Sequence, residues 1–177
     1  MKITWFGGST LRIYVGGRIF VTDHERAPEG VDPHEVSAAA DYTINLSDGI
    51  IEFPYLDMES RKEQRPRRLI DMPQELVASL YTIEGEALFI DEPQEGPVIV
   101  APGGQTAWGH FADNAVVVLY GKPEAVLEGA QSLLVAARPK LIAIAADGFS
   151  QDQLDVLALT CGNCALQVLE QGFSVEA

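Results

Sequence analysis

Residues 1–23 read MKITWFGGSTLRIYVGGRIFVTD, and this stretch decides how the chain begins to fold. Residues 2–6 are rich in β-branched and aromatic side chains, and residues 11–15 alternate with the period of a half-buried strand. Gly16 and Gly17 form a two-residue hairpin signal, after which residues 19–22 continue as the partner strand. The sequence therefore predicts an opening meander of strands rather than a strand–helix–strand unit.

A parallel α/β unit is predicted further along the chain. Residues 115–120 (AVVVLY) are an unbroken apolar run, as expected of a strand that is buried on both faces. Residues 123–137 have helical periodicity, and residues 141–145 form a second apolar run. Together these segments make one βαβ-like unit.

Capping signals predict two further helices. Residues 32–40 form a short helix with Asp32 as its N-cap. Residues 151–159 form a helix capped by Ser150, with glutamine at the capping-box position three residues later. Residues 165–171 fit either a helix or a strand.

Composition limits the classes of function. The 177 residues carry a net charge of −14, with 47% apolar and 21% charged residues, which is ordinary globular composition. This length suits a single domain over residues 1–177. A negative surface repels phosphate, so neither nucleic acid nor an anionic membrane surface is an expected partner.

The sequence also predicts where the protein works. Its opening lacks the pattern of a secretory leader, and no apolar run approaches the roughly 20 residues of a membrane span. The two cysteines, Cys161 and Cys164, are too few for a disulfide scaffold. The expected location is the cytoplasm.

An ordered set of motifs runs through the first 42 residues. It comprises Trp5, Phe6, Gly7, Ser9, the turn at Gly16 and Gly17, the strand-ending Asp23, and Ala40, Asp41 and Tyr42. In this order the motifs resemble the start of metallo-β-lactamase-fold hydrolases of the ascorbate-6-phosphate-lactonase-like branch. The resemblance implies an α/β fold, an αββα sandwich with mixed β-sheets, truncated because the chain is shorter than typical members.

The same resemblance implies that the metal ligands of that family are missing. The family places them after a Trp-Phe-Gly motif, in a Thr-His-x-His-x-Asp-His motif, and at the end of a later buried strand. The matching positions here hold Gly8, Ser47, Gly49, Ile51, Glu52 and Ala146. Zinc sites use histidine, cysteine or carboxylate ligands, and Glu52 alone is not a site. We therefore expect no metal, no cofactor and no catalytic residue.

These features favour a non-catalytic binding or assembly domain, working as a homo-oligomer or with a protein partner. The alternative is a hydrolase with a relocated metal site around Asp23, His24, His34 and Glu52. It rests on the polar cluster 23–25 at the end of a predicted strand. A solvated loop is the favoured interpretation of that cluster, because the sequence shows no convergence of ligands.

The CxxC pair formed by Cys161 and Cys164 is a separate candidate. If the pair opened a helix, the positive helix end would lower the pKa of the first thiol and favour redox chemistry. Two small buried thiols are the favoured interpretation.

Three remaining features have modest predicted roles. Five basic residues between Arg61 and Arg68 would suit an acidic partner, and a charged loop is favoured. Ser9 is interpreted as a turn hydroxyl rather than a nucleophile, since no nucleophile-elbow motif surrounds it. Residues 102–106 are interpreted as a turn rather than an anion-binding loop.

Overall fold

A computed structural model of the chain describes residues 1–49, 53–56, 78–104 and 106–177. The described residues include the α-helices α1 (Pro33–Ser37), α2 (Pro123–Ala136) and α3 (Gln151–Cys161). The strands are β1 (Lys2–Gly7), β2 (Thr10–Val15), β3 (Arg18–Thr22), β4 (Tyr42–Ile44), β5 (Ser79–Ile83), β6 (Ala87–Asp91), β7 (Val98–Pro102), β8 (Val116–Tyr120), β9 (Leu141–Ala145), β10 (Ala165–Val168) and β11 (Ser174–Glu176).

The strands form two mixed sheets. The first has the order β11-β1-β2-β3-β4, in which only the β3–β4 pair is parallel. The second has the order β10-β9-β8-β7-β6-β5, parallel from β7 to β10 and antiparallel from β5 to β7. The predicted opening meander and the predicted βαβ unit are both confirmed, one in each sheet.

Two apolar layers hold the sheets and helices together. Leu11, Ile13 and Phe20 of the first sheet pack between the sheets with residues of the second sheet such as Val118. Neighbouring positions of the second sheet point the other way and pack under α2 and α3, where Leu133 is fully buried. This alternation explains the unbroken apolar runs of β8 and β9, because both of their faces are covered. Each large apolar side chain buried in this way contributes about 1.5–3 kcal/mol.

The outer face of the first sheet carries the short helix α1. Arg12 projects from that face and donates a 2.6 Å hydrogen bond from Nη1 to the carbonyl of Val36, which is buried in α1. The predicted Asp32 N-cap is confirmed, since its carboxylate accepts from the backbone N–H of His34 at 2.9 Å. The helix is shorter than the predicted 32–40, because Ala39 adopts a left-handed conformation with φ of 56° that ends it.

The chain ends in two short strands on different sheets. β10 resolves the ambiguity over residues 165–171 in favour of a strand, parallel to β9. β11 pairs antiparallel with β1 and was not predicted, because three largely exposed residues carry too weak a pattern. The Ser150 capping box at the start of α3 is confirmed. No helix among the described residues is long and apolar enough to cross a membrane.

Candidate functional site

The candidate site is centred on Asp23, immediately after β3. Its backbone N–H donates to the carbonyl of Ile44 at 2.9 Å, and its carbonyl accepts from the Thr10 hydroxyl at 3.0 Å. These bonds hold the residue in a left-handed conformation, with φ of 43°, which aspartate tolerates better than most residues. The side chain is thereby directed inward, and Asp23 is only 4% exposed.

The Asp23 carboxylate is surrounded by hydrogen-bond donors. Oδ2 accepts from the hydroxyls of Ser9 and Ser47, the latter at 2.6 Å. Oδ1 accepts from the backbone N–H groups of Leu46 at 2.8 Å and Ser47 at 3.3 Å. A carboxylate offers about four lone-pair positions, so these four donors account for its capacity. We call Asp23, Ser9, Ser47 and the Leu46 amide the Asp23 cluster.

The interpretation of residues 23–25 as a solvated loop is wrong for one of its members. His24 and Glu25 lie in a 3-10 turn, half-buried and exposed respectively. Asp23 is buried instead, because donors from the loops after β1 and β4 converge on it from positions 9 and 46–47. No local sequence pattern signals this convergence, because it depends on strands that are distant along the chain.

A tight glycine corner places Ser9 in the cluster. Trp5 donates from its indole to the carbonyl of Gly8 at 3.0 Å, which closes the corner after β1. A Cβ on Gly7 would lie 2.5 Å from the side chain of Pro28, so only glycine fits there. The Ser9 carbonyl accepts from the Thr22 hydroxyl at 2.6 Å, which ties the corner to the end of β3. Ser9 therefore acts here as a donor to Asp23, in line with its predicted turn role.

A cavity of about 260 Å³ lies beside the cluster. Its rim includes an ion pair between Arg26 and Asp48 at 2.7 Å, and Asn45 donates to the same carboxylate at 2.6 Å. The lining residues are Asp23, His24, Glu25, Arg26, Thr43, Ile44, Asn45 and Asp48. Such a lining offers donors, acceptors and both signs of charge to a small polar molecule.

Tyr120 adds a phenol near this edge of the fold. It ends β8 and packs against the layer between the sheets. Burial raises the pKa of Tyr120, and the negative charges of Asp23 and Glu86 raise it further. The phenol is therefore neutral at ordinary pH. The sequence places Tyr120 at the end of the apolar run 115–120, and this position is the one signal of its role.

The ligand positions implied by the resemblance do not fit a zinc ion. The Ser47 hydroxyl donates a hydrogen bond to the Asp23 carboxylate, and Gly49 has no side chain. Ala146 is 3% exposed and packs in the layer under the helices. Ile51 and Glu52 lie outside the described residues. Within the parts of the chain that are described, no three histidine, cysteine or acidic side chains are grouped as metal ligands.

The residues of the alternative site are brought together only in part. Asp23 and His24 line the same cavity, whereas His34 is exposed in the first turn of α1 and is not among the lining residues. Glu52 belongs to a segment that is not described. The Arg61–Arg68 cluster also falls outside the described residues.

The two cysteines differ from both predicted interpretations. Cys161 is the last residue of α3 rather than the first residue of a helix, so it lies at the negative end of the helix dipole. The structure joins Cys161 and Cys164 in a disulfide instead of leaving two buried thiols. The bond closes the tight turn that links α3 to β10.

Residues 102–104 form a turn that is packed against α2. A Cβ on Gly103 would lie 2.5 Å from the backbone nitrogen of Val126, and a Cβ on Gly129 would lie 3.1 Å from Gly104. These glycines allow the loop and the helix to touch. The close packing agrees with the predicted turn, and Gln105 lies outside the described residues.

Comparison with solved structures identifies the fold. An isothiocyanate hydrolase from Delia radicum gut bacteria superimposes with a TM-score of 0.55 at 16% identity, over 99% of each chain. A metallo hydrolase from Ignicoccus hospitalis gives a TM-score of 0.50 at 15% identity, over 98% of this chain and 97% of that chain. A Thermotoga maritima structure assigned to the metallo-β-lactamase superfamily gives a TM-score of 0.44 at 17% identity, over 96% of this chain and 99% of that chain.

No protein-family model matches the sequence, and no curated protein matches it significantly. The structural likeness is at low identity, so it establishes the fold and not the chemistry. The chain has a metallo-β-lactamase-like fold with two mixed sheets and few helices, as the opening motifs predict.

Proposed function

We propose that this chain is a non-catalytic binding or assembly domain on a metallo-β-lactamase-like fold. The observation that carries the proposal is the state of Asp23. Its carboxylate accepts from two hydroxyls and two backbone amides of the chain itself. A carboxylate used in this way stabilises the loops around it and has no lone pair left for a metal or a reacting group.

The side chains around Asp23 support the same proposal. A zinc site needs several nitrogen, sulfur or carboxylate ligands in a fixed arrangement. Ser47 and Gly49 supply no nitrogen, sulfur or carboxylate ligand from their side chains. Ala146 supplies only a methyl group, which packs in the core. The Ser47 hydroxyl instead takes the place of a ligand in a hydrogen-bond network that links two loops.

The cavity beside the cluster supports binding of a small polar molecule. Arg26 and Asp48 form its exposed ion pair, and Asn45 fixes the orientation of the Asp48 carboxylate. A ligand with both a donor and an acceptor could pair with these groups without a change in the backbone. This part of the proposal concerns recognition and needs no bond to be made or broken.

The alternative is a hydrolase that uses a relocated metal site around Asp23, His24, His34 and Glu52. The observation in its favour is that Asp23 and His24 line one cavity. It requires the Asp23 carboxylate to exchange four hydrogen bonds for metal coordination. That exchange would leave the buried backbone N–H of Leu46 without its acceptor, which is costly.

Metal content separates the two proposals. Untagged protein from metal-supplemented medium is analysed by inductively coupled plasma mass spectrometry, with its disulfide intact. We expect less than about 0.1 equivalent of zinc, manganese and iron, because a complete ligand set is needed for retention through purification. One equivalent that disappears in Asp23→Asn and His24→Ala, and persists in the control His110→Ala, would establish the relocated site instead.

A further inference from the structure

A run of 14 residues without charge lies near the end of the chain. Residues 156–169 read VLALTCGNCALQVL and contain no acidic, basic or histidine side chain, although the whole chain carries a net charge of −14. The run forms the second half of α3, the disulfide turn and all of β10. On α3 it exposes Leu159 (90% exposed) and Val156 (43% exposed). The exposed surface that this run contributes is therefore uncharged.

Among the described strands, β10 lies at the edge of the second sheet. The backbone N–H groups of Ala165 and Leu169 donate to Lys140 at 3.0 Å and Ile144 at 2.8 Å, next to and within β9. In a parallel pair, alternate residues direct both backbone groups to the same side, so Leu166 and Val168 direct theirs away from β9. Within the described residues β10 pairs with β9 alone.

Within the described part of the chain, β10 has little of the protection that exposed edges usually carry. Proteins block free edges with lysine, proline, a bulge or a covering segment. β10 has the sequence ALQV and continues β9 in regular register. A 2.9 Å hydrogen bond from the Gln167 side-chain amide to the outward carbonyl of Val168 gives the edge some protection. That bond is local and exposed, so it is readily exchanged for a backbone donor.

Charge indicates which partner fits this edge. Two chains that each carry −14 repel each other overall, and this repulsion is weakest where the contacting surfaces lack charge. A basic partner would be attracted to the acidic surface and not to this neutral run. A second copy of this chain presents an edge of the same kind and removes both free edges at once.

We propose that β10 pairs antiparallel with β10 of a second copy, about a two-fold axis that passes beside Gln167. In this register Leu166 faces Val168 of the second copy, and the two residues exchange both backbone hydrogen bonds. The symmetry produces a second such pair, which gives four bonds in all. The two second sheets then join into one continuous sheet, and each Gln167 lies opposite its counterpart in a non-hydrogen-bonded pair.

This inference deepens the assembly part of the proposed function and rests on that part. It concerns a sheet edge that shares no residue with the Asp23 cluster. Failure of dimer formation leaves the metal analysis unaffected, and a metal-binding result leaves the dimer unaffected. The two experiments therefore test separate statements.

Molar mass tests the proposal first. Sedimentation equilibrium of the full chain should give twice the 19.2 kDa chain mass at micromolar concentration. Gln167→Glu places two like charges opposite each other, which should weaken the dimer on the order of tenfold. Gln151→Glu makes the same chemical change at the exposed start of α3 and should leave the dissociation constant unchanged. A chain that remains a monomer, or a dimer that responds equally to both variants, overturns the proposal.

Cross-linking tests the register. The α-carbons of a non-hydrogen-bonded antiparallel pair lie about 4.5 Å apart, within the range that a disulfide spans. Gln167→Cys should therefore form a covalent dimer under mild oxidation, on a non-reducing gel. Ala165→Cys is the matched control, since position 165 faces position 169 of the second copy and should not cross-link. Equal cross-linking of both variants, or a dimer in which neither cross-links, overturns the proposed pairing.

Discussion

The Ser47 hydroxyl donates a 2.6 Å hydrogen bond to the Asp23 carboxylate, which lies 24 positions earlier in the chain. This contact joins the loop after β4 to the end of β3. A charged acceptor makes the bond stronger than one between neutral groups. The contact predicts a structural role for Asp23, and this prediction can be tested without any knowledge of a ligand.

Replacement of Asp23 by asparagine should lower the free energy of unfolding by about 1–2 kcal/mol, as loss of charge-assisted bonds typically does. Asparagine tolerates the left-handed conformation at this position, so the change isolates the loss of the carboxylate. Urea denaturation followed by circular dichroism measures the effect. Glu25→Gln is the control, since that side chain is exposed two positions away. Equal stabilities of the two variants would contradict a structural role for Asp23.

The parts of this fold that the sequence predicts are those with a local pattern. The alternation in β2, the apolar run of β8 and the capping box of Ser150 each involve a few consecutive residues, and the structure confirms them. Such patterns are decided by periodicity and capping, which act within one element.

The features that escaped prediction depend on distant residues. The side chains of Thr4 and Ser174 hydrogen-bond at 2.7 Å across the β1–β11 pair, although 170 positions separate them. Ser9, Asp23 and Ser47 likewise meet only after three segments have folded. Neither arrangement leaves a periodic signal, so local patterns predict neither the burial of the Asp23 carboxylate nor β11.

The contacts of the Glu95 carboxylate predict that the stability of the protein depends on pH. Its carboxylate binds the N-terminal ammonium group at 2.5 Å and accepts from the Gly16 backbone N–H at 3.0 Å. The ammonium contact and then the amide lower the pKa of Glu95, and burial opposes them only in part. Because the pKa of Glu95 is lower in the folded chain than in the unfolded chain, its contribution to stability is complete above the unfolded-state pKa, near 4.3. That contribution is lost as the pH falls through the folded-state pKa.

Glu95→Gln should therefore reduce the unfolding free energy at pH 7, and the difference from wild type should shrink below about pH 4. Urea titrations at several pH values between 7 and 3 measure this difference. Glu25→Gln serves as the exposed control. A difference that stays constant over this range would show that the charge of Glu95 does not contribute.

Gly103 offers a test of the contact between the loop after β7 and α2. Gly103→Ala would place a methyl group 2.5 Å from the backbone nitrogen of Val126, so loop and helix must separate. Overpacking of this kind costs about 1–3 kcal/mol. Gly109→Ala is the matched control, because its Cβ would meet only the Phe111 side chain at 3.4 Å. Thermal unfolding should show a lower midpoint for the first variant, and equal midpoints would contradict the packing account.

The Cys161–Cys164 bond should stabilise the chain only modestly. A disulfide acts chiefly by restricting the unfolded chain, and a separation of three positions closes a very short loop, worth about 2 kcal/mol by the loop-entropy relation. Because Cys161 ends α3, the negative end of the helix dipole disfavours its thiolate, unlike the first cysteine of a pair that opens a helix. The oxidised form is then favoured over the reduced form, since no charge stabilises the released thiolate.

Thiol titration of the unfolded protein should find two groups after reduction and none before it. The double variant that carries Cys161→Ser and Cys164→Ser should have a lower free energy of unfolding than the wild type. The decrease should be about the same as the decrease caused by reduction of the wild-type disulfide. Two free thiols in protein purified under air would mean that the pair is normally reduced and that β10 is held by its pairing with β9 and by the packing of Leu166 and Val168.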